Sequence, residues 1–222
     1  MAAKTDNTIT CRDGRVLGYA EYGDLSGKPI FYFHGFPGSR FEAQATEIGA
    51  ARHGLRIIAV ERPGFGLSDF LPDRFLSDWP SDVIELADAL GIKQFAVLGV
   101  SGGGPYALAC AAKIPQRLTA VSVVGSLAPP DVEGITEGMT CFSRRVLFLS
   151  SWMPWGVRFI YSSMLRTIQQ NPDRFLTRLT KMTSAADQMT LSRGEVRQVL
   201  ITSFREAGRN GIEGGLRELY LY

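Results

Sequence analysis

Cysteine and histidine are both scarce in this chain. Cys11, Cys110 and Cys141 are the only cysteines in 222 residues. They are far apart, odd in number and form no Cys-x-x-Cys pair. That spacing argues against a disulfide framework or a cysteine zinc site, and favours a reduced, cytoplasmic setting. His34 and His53 are the only histidines. An excess of either charge is also missing: Lys plus Arg is 24, Asp plus Glu is 22, and the net charge is +2. Divided after Pro130, the first part carries 12 basic and 13 acidic residues and the second 12 and 9. Neither part reads as a polybasic surface, so nucleic acid and anionic membrane are not expected partners. The one long uncharged stretch, Phe95–Ala112, is broken in its middle by Ser101-Gly-Gly-Gly-Pro105, so no membrane span is expected. The first residues are polar and lack the apolar centre of a signal peptide. What is present is ordinary for a globular protein, 45% apolar and 21% charged. At roughly 150 residues per domain, the length fits one large domain or one with a lid.

Along the chain, apolar runs alternate with helical patterns. Thr8–Cys11 and Arg15–Tyr22 flank Asp13-Gly14, a two-residue hairpin signal. Ile30–His34 reads as a buried strand. Phe41–Arg52 reads as one helix stopped by Gly54, and Leu55–Val60 as a further strand. Asp82–Leu90 is an amphipathic helix ending at Gly91. Phe95–Val100 and Leu118–Val124 are strands on either side of a helix over Tyr106–Lys113. Strands alternating with helices imply an α/β fold with a mostly parallel sheet covered on both faces. After Pro129-Pro130 the pattern turns helical. Asn171-Pro172 is a helix start, and Ser192 with Glu195 has the spacing of a capping box. The expected division is a core over residues 1–130 and a helical cap over 131–222.

Three segments carry chemistry. Gly99-Val100-Ser101-Gly102-Gly103 lies directly after a strand and before a helix, the G-x-S-x-G nucleophile elbow. A strand that turns sharply into a helix strains its turn residue and leaves no room for neighbouring side chains. The glycines supply that room and raise the Ser101 hydroxyl above the strand ends. A rival reading takes Gly102-x-Gly104-x-x-Ala107 as a dinucleotide fingerprint, but no acidic residue follows at the required distance before Asp131. The second segment, His34-Gly35-Phe36-Pro37-Gly38-Ser39, follows the Ile30 strand. Acyl transfer places negative charge on a carbonyl oxygen, and backbone N–H groups aimed at it are worth roughly 3 kcal/mol each. Gly102 and Phe36 are the expected donors. His34 reads as a brace for its loop rather than as the base. The third segment, Glu61–Asp69, reads as a compact loop shaped by an Arg62–Asp69 ion pair; Glu61 as a catalytic carboxylate has no support.

Together these segments resemble the α/β-hydrolase family, in its branch of lidded serine hydrolases that includes epoxide-hydrolase-like and proline-iminopeptidase-like members. The resemblance runs from about Thr8 to Val124 and more loosely beyond. It implies a mostly parallel sheet with about six of eight strands present, and a helical cap after strand six. It implies Ser101 as nucleophile, esterase- or amidase-type chemistry on a small hydrophobic substrate, and no cofactor or metal. Phe142, Phe148, Trp152, Met153, Trp155 and Met164 would form an apolar wall over the pocket. In the family the triad acid follows strand seven and the histidine strand eight; here neither strand is found and no histidine follows His53. The chain is therefore expected to be the N-terminal portion of such an enzyme, inactive alone, with strand six at an aggregation-prone open edge. The alternative is a non-catalytic ligand-binding homologue.

Overall fold

The computed structural model of the chain describes residues 4–126, 128 and 154–222. Six strands form one sheet: β1 (Lys4–Thr10), β2 (Val16–Gly23), β3 (Lys28–Phe33), β4 (Leu55–Val60), β5 (Phe95–Val100) and β6 (Leu118–Val124). Their order is β1-β2-β4-β3-β5-β6. β1–β2 and β2–β4 are antiparallel pairs; β4–β3, β3–β5 and β5–β6 are parallel. The central strands are apolar almost without interruption because both faces of the parallel region are covered.

Alternation along each strand divides the core in two. Phe31, Phe33, Ile58, Val60, Phe95 and Val97 pack on one face against Trp79, Val83 and Leu86 of α2 (Trp79–Ala89) and Tyr106 and Cys110 of α3 (Gly104–Lys113). Tyr22, Tyr32, Ile57 and Ala59 occupy the other face with Ala43 and Ala50, the latter in α1 (Glu47–Arg52). β3 has β4 on one side and β5 on the other. The connections leaving the C-terminal ends of β3 and β5 therefore diverge, opening a crevice at the topological switch point. The His34 loop and the Ser101 turn flank that crevice.

Among the described residues, five more helices follow: α4 (Pro154–Gln170), α5 (Pro172–Thr180), α6 (Ala185–Leu191), α7 (Gly194–Ala207) and α8 (Glu213–Leu221). Asn171 caps α5 as expected, its side chain accepting from the Arg174 N–H, with Pro172 in the first turn. The Ser192–Glu195 capping box does not form. Ser192 closes α6 by donating to the Gln188 carbonyl, and Arg193 is the N-cap of α7. The Phe41–Arg52 helix is instead a 3-10 segment, Arg40–Thr46, followed by α1, and Ser39 caps the first turn. The β1–β2 connection is longer than two residues: Cys11 N–H donates to the Arg15 carbonyl, and Gly14 makes the turn at φ +88°. The expected domain boundary after residue 130 and the cap residues Phe142, Phe148, Trp152 and Met153, with Cys141, lie outside the described residues. Trp155 is 72% exposed and does not line a wall, whereas Met164 packs inside the helical layer. Among the described residues, no helix is long and apolar enough to cross a membrane.

On its outer side β6 is paired with no strand among the described residues, and Val121, Val123 and Val124 are exposed. An apolar unpaired edge recruits other strands, and a lysine there blocks pairing. Val124→Lys is expected to lower light scattering on warming and leave the circular dichroism spectrum unchanged. Equal scattering by both proteins would show that β6 is not the associating edge.

Candidate active site

Ser101 has φ +51°, one of two non-glycine residues in the left-handed region among those described. It ends β5 and opens a 3-10 turn, Ser101–Gly103, that leads into α3. Such backbone strain persists only where the surroundings enforce it. Here they do: a Cβ on Gly103 would stand 2.1 Å from the Phe33 carbonyl oxygen, and one on Gly99 would stand 2.4 Å from the Gly103 carbonyl oxygen. The elbow is thus pressed against its own strand and against the end of β3.

The same approach brings the two candidate oxyanion donors together. A Cβ built on Gly35 would lie 3.5 Å from the Ser101 Cβ, and one on Gly102 would lie 3.0 Å from the Phe36 Cβ. Neither the Phe36 N–H nor the Gly102 N–H has a hydrogen-bond acceptor among the described residues. The Ser101 hydroxyl also has no hydrogen-bond partner among them. Above Phe36, the Tyr161 ring of α4 stacks at 5.7 Å, and the Tyr222 ring meets it edge-on at 6.1 Å. These two tyrosines make the aromatic boundary that the sequence reading assigned to other cap residues.

His34 is fully buried and engaged at both ring nitrogens. Nδ1 lies 2.9 Å from the Gly35 carbonyl oxygen, to which it donates, so Nε2 is left to accept from the Arg62 N–H at 3.5 Å. Burial, reinforced by Arg62, holds its pKa well below the usual imidazole value. His34 braces the loop as a neutral ring. His53 lies exposed at the C-terminal end of α1.

Arg62 does not pair with Asp69. Asp69 instead accepts from the Val16 N–H at 2.7 Å, stitching its loop to β2. Arg62, with no exposed surface, donates to the His34 carbonyl at 2.5 Å and the Gly35 carbonyl at 3.1 Å, and faces Glu218 at 3.2 Å. Glu61 is not placed for catalysis. It pairs with buried Arg40 at 2.7 Å and accepts from the Leu67 N–H at 2.6 Å. Burial pushes its carboxyl up to about 7 despite Arg40. Sequence reasoning missed three participants. Glu42 receives the Gly35 N–H at 3.1 Å and the Tyr32 hydroxyl at 2.8 Å. Glu218 of α8 meets Arg62, and Tyr222, just after α8, meets the Gly102 carbonyl. Their i, i+4 spacing on one helix face was readable, but their destination was not. Among the described residues, no three His, Cys, Asp or Glu side chains group in a way that could hold a metal ion.

Residues 28–143, more than half of the chain, match the family described as alpha/beta hydrolase fold, and the chain belongs to that family. Among its relatives, a non-heme chloroperoxidase of Streptomyces lividans is 30% identical over 132 residues, 59% of this chain and 48% of that protein. A bifunctional esterase/perhydrolase of Acinetobacter calcoaceticus is 29% identical over 123 residues, 55% of this chain and 45% of the other. The chain spans about half the length of these curated relatives. An esterase structure from Exiguobacterium antarcticum shares the fold, with TM-score 0.67 and 17% identity over 97% of this chain and 72% of that one.

Two outcomes follow from this geometry. Gly103→Ala forces a methyl group into the Phe33 carbonyl and is expected to cost about 2–3 kcal/mol, measured by urea denaturation. His34 stays neutral when folded but gains a proton when unfolded. Its stabilisation is therefore complete well above the unfolded value of about 6.5 and is lost as pH falls through it. Glu61 acts with the opposite sign over an overlapping range, because its folded carboxyl titrates above its unfolded one. The comparison is therefore the pH slope of wild type minus that of His34→Asn; equal slopes would show that His34 is not the titrating group.

Proposed function

We propose that this chain carries the nucleophile and oxyanion hole of a serine hydrolase acting on an ester- or amide-type bond of a small, hydrophobic substrate. The observation that carries the reading is Ser101 in the left-handed conformation at a strand–helix turn, beside Phe36 and Gly102, whose N–H groups have no acceptor among the described residues. The Ser101 hydroxyl attacks the substrate carbonyl. The Phe36 and Gly102 N–H groups take the negative charge on its oxygen, and water then releases the acyl group. That chemistry requires no metal or organic cofactor. The aromatic rings of Phe36, Tyr161 and Tyr222 favour an apolar acyl or alcohol part. The cap, in this reading, is the part after residue 130.

In this reading no histidine among the described residues is placed to accept the Ser101 proton. His34 is occupied on both nitrogens and His53 is exposed at the end of α1. A serine without a base is a weak nucleophile. Loss of a triad histidine costs on the order of a million-fold in turnover, leaving about a thousand-fold over water. With p-nitrophenyl butyrate we expect these residues alone to give only that residual hydrolysis, which the oxyanion hole and binding supply. Turnover of about 1 s⁻¹ or more, an ordinary enzymatic value, would overturn the missing base. Absence of an acyl-thioester at position 101 in Ser101→Cys after incubation with the same ester, read by peptide mass, would overturn the nucleophile.

A further inference from the structure

Acyl transfer as described leaves one buried cluster without a task. Glu218 of α8 has no exposed surface and is surrounded by Arg62, Arg74, Tyr106 and Tyr222. Arg74 and the Tyr106 hydroxyl reach one of its oxygens, each at 2.5 Å. Arg62 and the Tyr222 hydroxyl reach the other. Burial alone would raise this carboxyl, but the two guanidinium groups hold it below the usual range. The cluster is therefore ionic, with two cations against one anion. An ionic cluster this deep costs desolvation that a pair of apolar residues would avoid, so stability alone is a poor reason for it.

The geometry points to Glu218 as a positioning residue that sets both oxyanion donors at once, through Arg62 on one side and Tyr222 on the other. This rests on the Ser101 reading above. On the first side, the peptide joining Gly35 to Phe36 is planar, so its N–H points opposite to its carbonyl. That carbonyl accepts from Arg62 at 3.1 Å and from His34 at 2.9 Å. Fixing the Gly35 carbonyl thereby aims the Phe36 N–H, and Glu218 is the carboxylate that holds Arg62 in place. On the second side, the Tyr222 hydroxyl stands between Glu218 and the Gly102 carbonyl oxygen, 2.8 Å from the latter. The Gly102 N–H belongs to the preceding peptide unit, so this contact restrains it through the two Gly102 dihedrals, which no side chain restricts.

The test separates aiming of the oxyanion hole from simple anchoring of α8. Ser101→Cys supplies a thiol that reacts without a histidine. With p-nitrophenyl acetate, its thiolate forms a C–S bond at the ester carbonyl. The electron pair passes to the carbonyl oxygen and returns as the C–O bond breaks and p-nitrophenolate leaves, the thiol proton having gone to water. With iodoacetamide the same thiolate displaces iodide from a saturated carbon, and no oxyanion forms. Both products are quantified at position 101 by peptide mass, apart from Cys11, Cys110 and Cys141. In the Ser101→Cys background, Glu218→Gln and Tyr222→Phe are each expected to slow acylation roughly tenfold or more while alkylation changes less than about twofold. Glu218→Asp, which keeps the charge, is expected to recover part of the loss. Should Glu218→Gln fail to fold, Tyr222→Phe decides, because it leaves every charge in place. Acylation unchanged, or both rates falling together, overturns the inference. A Ser101→Cys parent whose ratio of acylation to alkylation matches that of a free cysteine peptide overturns the Ser101 reading itself, and this inference with it.

Discussion

The close approach of two backbones governs this molecule. Where β5 turns into α3, Gly103 comes against the last carbonyl of β3 at a distance no side chain could share. Two consequences follow from that one contact. Ser101 is held in a conformation L-residues avoid, and the loop leaving β3 is brought beside the turn leaving β5. The sheet order makes this possible by placing β3 and β5 side by side with their C-terminal ends level. A serine lifted at one strand end and the Phe36 N–H at its neighbour are thus brought together by a single packing constraint.

Loops at the end of a parallel sheet carry backbone groups that no ladder satisfies. This protein satisfies them with buried charge. Arg62 serves the His34 and Gly35 carbonyls, Glu42 the Gly35 N–H, and Glu61 the Leu67 N–H. Each of these charged groups then needs a counter-charge of its own. Those partners come from distant parts of the chain, Glu218 from α8 and Arg40 from the turn after β3. The loops that frame the site are therefore ordered by residues contributed from well outside them.

Much of the core was legible from residues alone. Alternation of apolar runs and helical patterns located β2 to β6, and Gly-x-Ser-x-Gly located the strained turn. Glycines flanking Ser101 were informative because their reason is local: a Cβ has nowhere to go. Arg62 shows where such reading stops. Asp69 is its near neighbour in sequence with the right charge, yet Asp69 is drawn to β2 while Arg62 points inward to a carboxylate on α8. Nothing in local spacing distinguishes those two fates; the packing of α8 decides. Ser192 is a similar case. Its spacing to Glu195 fits the start of one helix, but its hydroxyl serves the end of the previous one. His34 was separable from a catalytic base because a histidine inside a buried strand–loop junction has backbone carbonyls within reach.

The guanidinium of Arg40 gathers three parts of the fold. It reaches the Thr5 carbonyl at 2.5 Å, Asp6 at 2.5 Å, Glu61 at 2.7 Å and Glu206 at 2.6 Å. Two of those acceptors belong to the first residues of β1, an outer strand that among the described residues pairs with β2 alone. Trimming the chain by six residues would thus reach far beyond its own strand. It would strip one cation of a carboxylate and a carbonyl, leave Glu61 and Glu206 to share the remainder, and loosen α7 from the loop that presents Phe36.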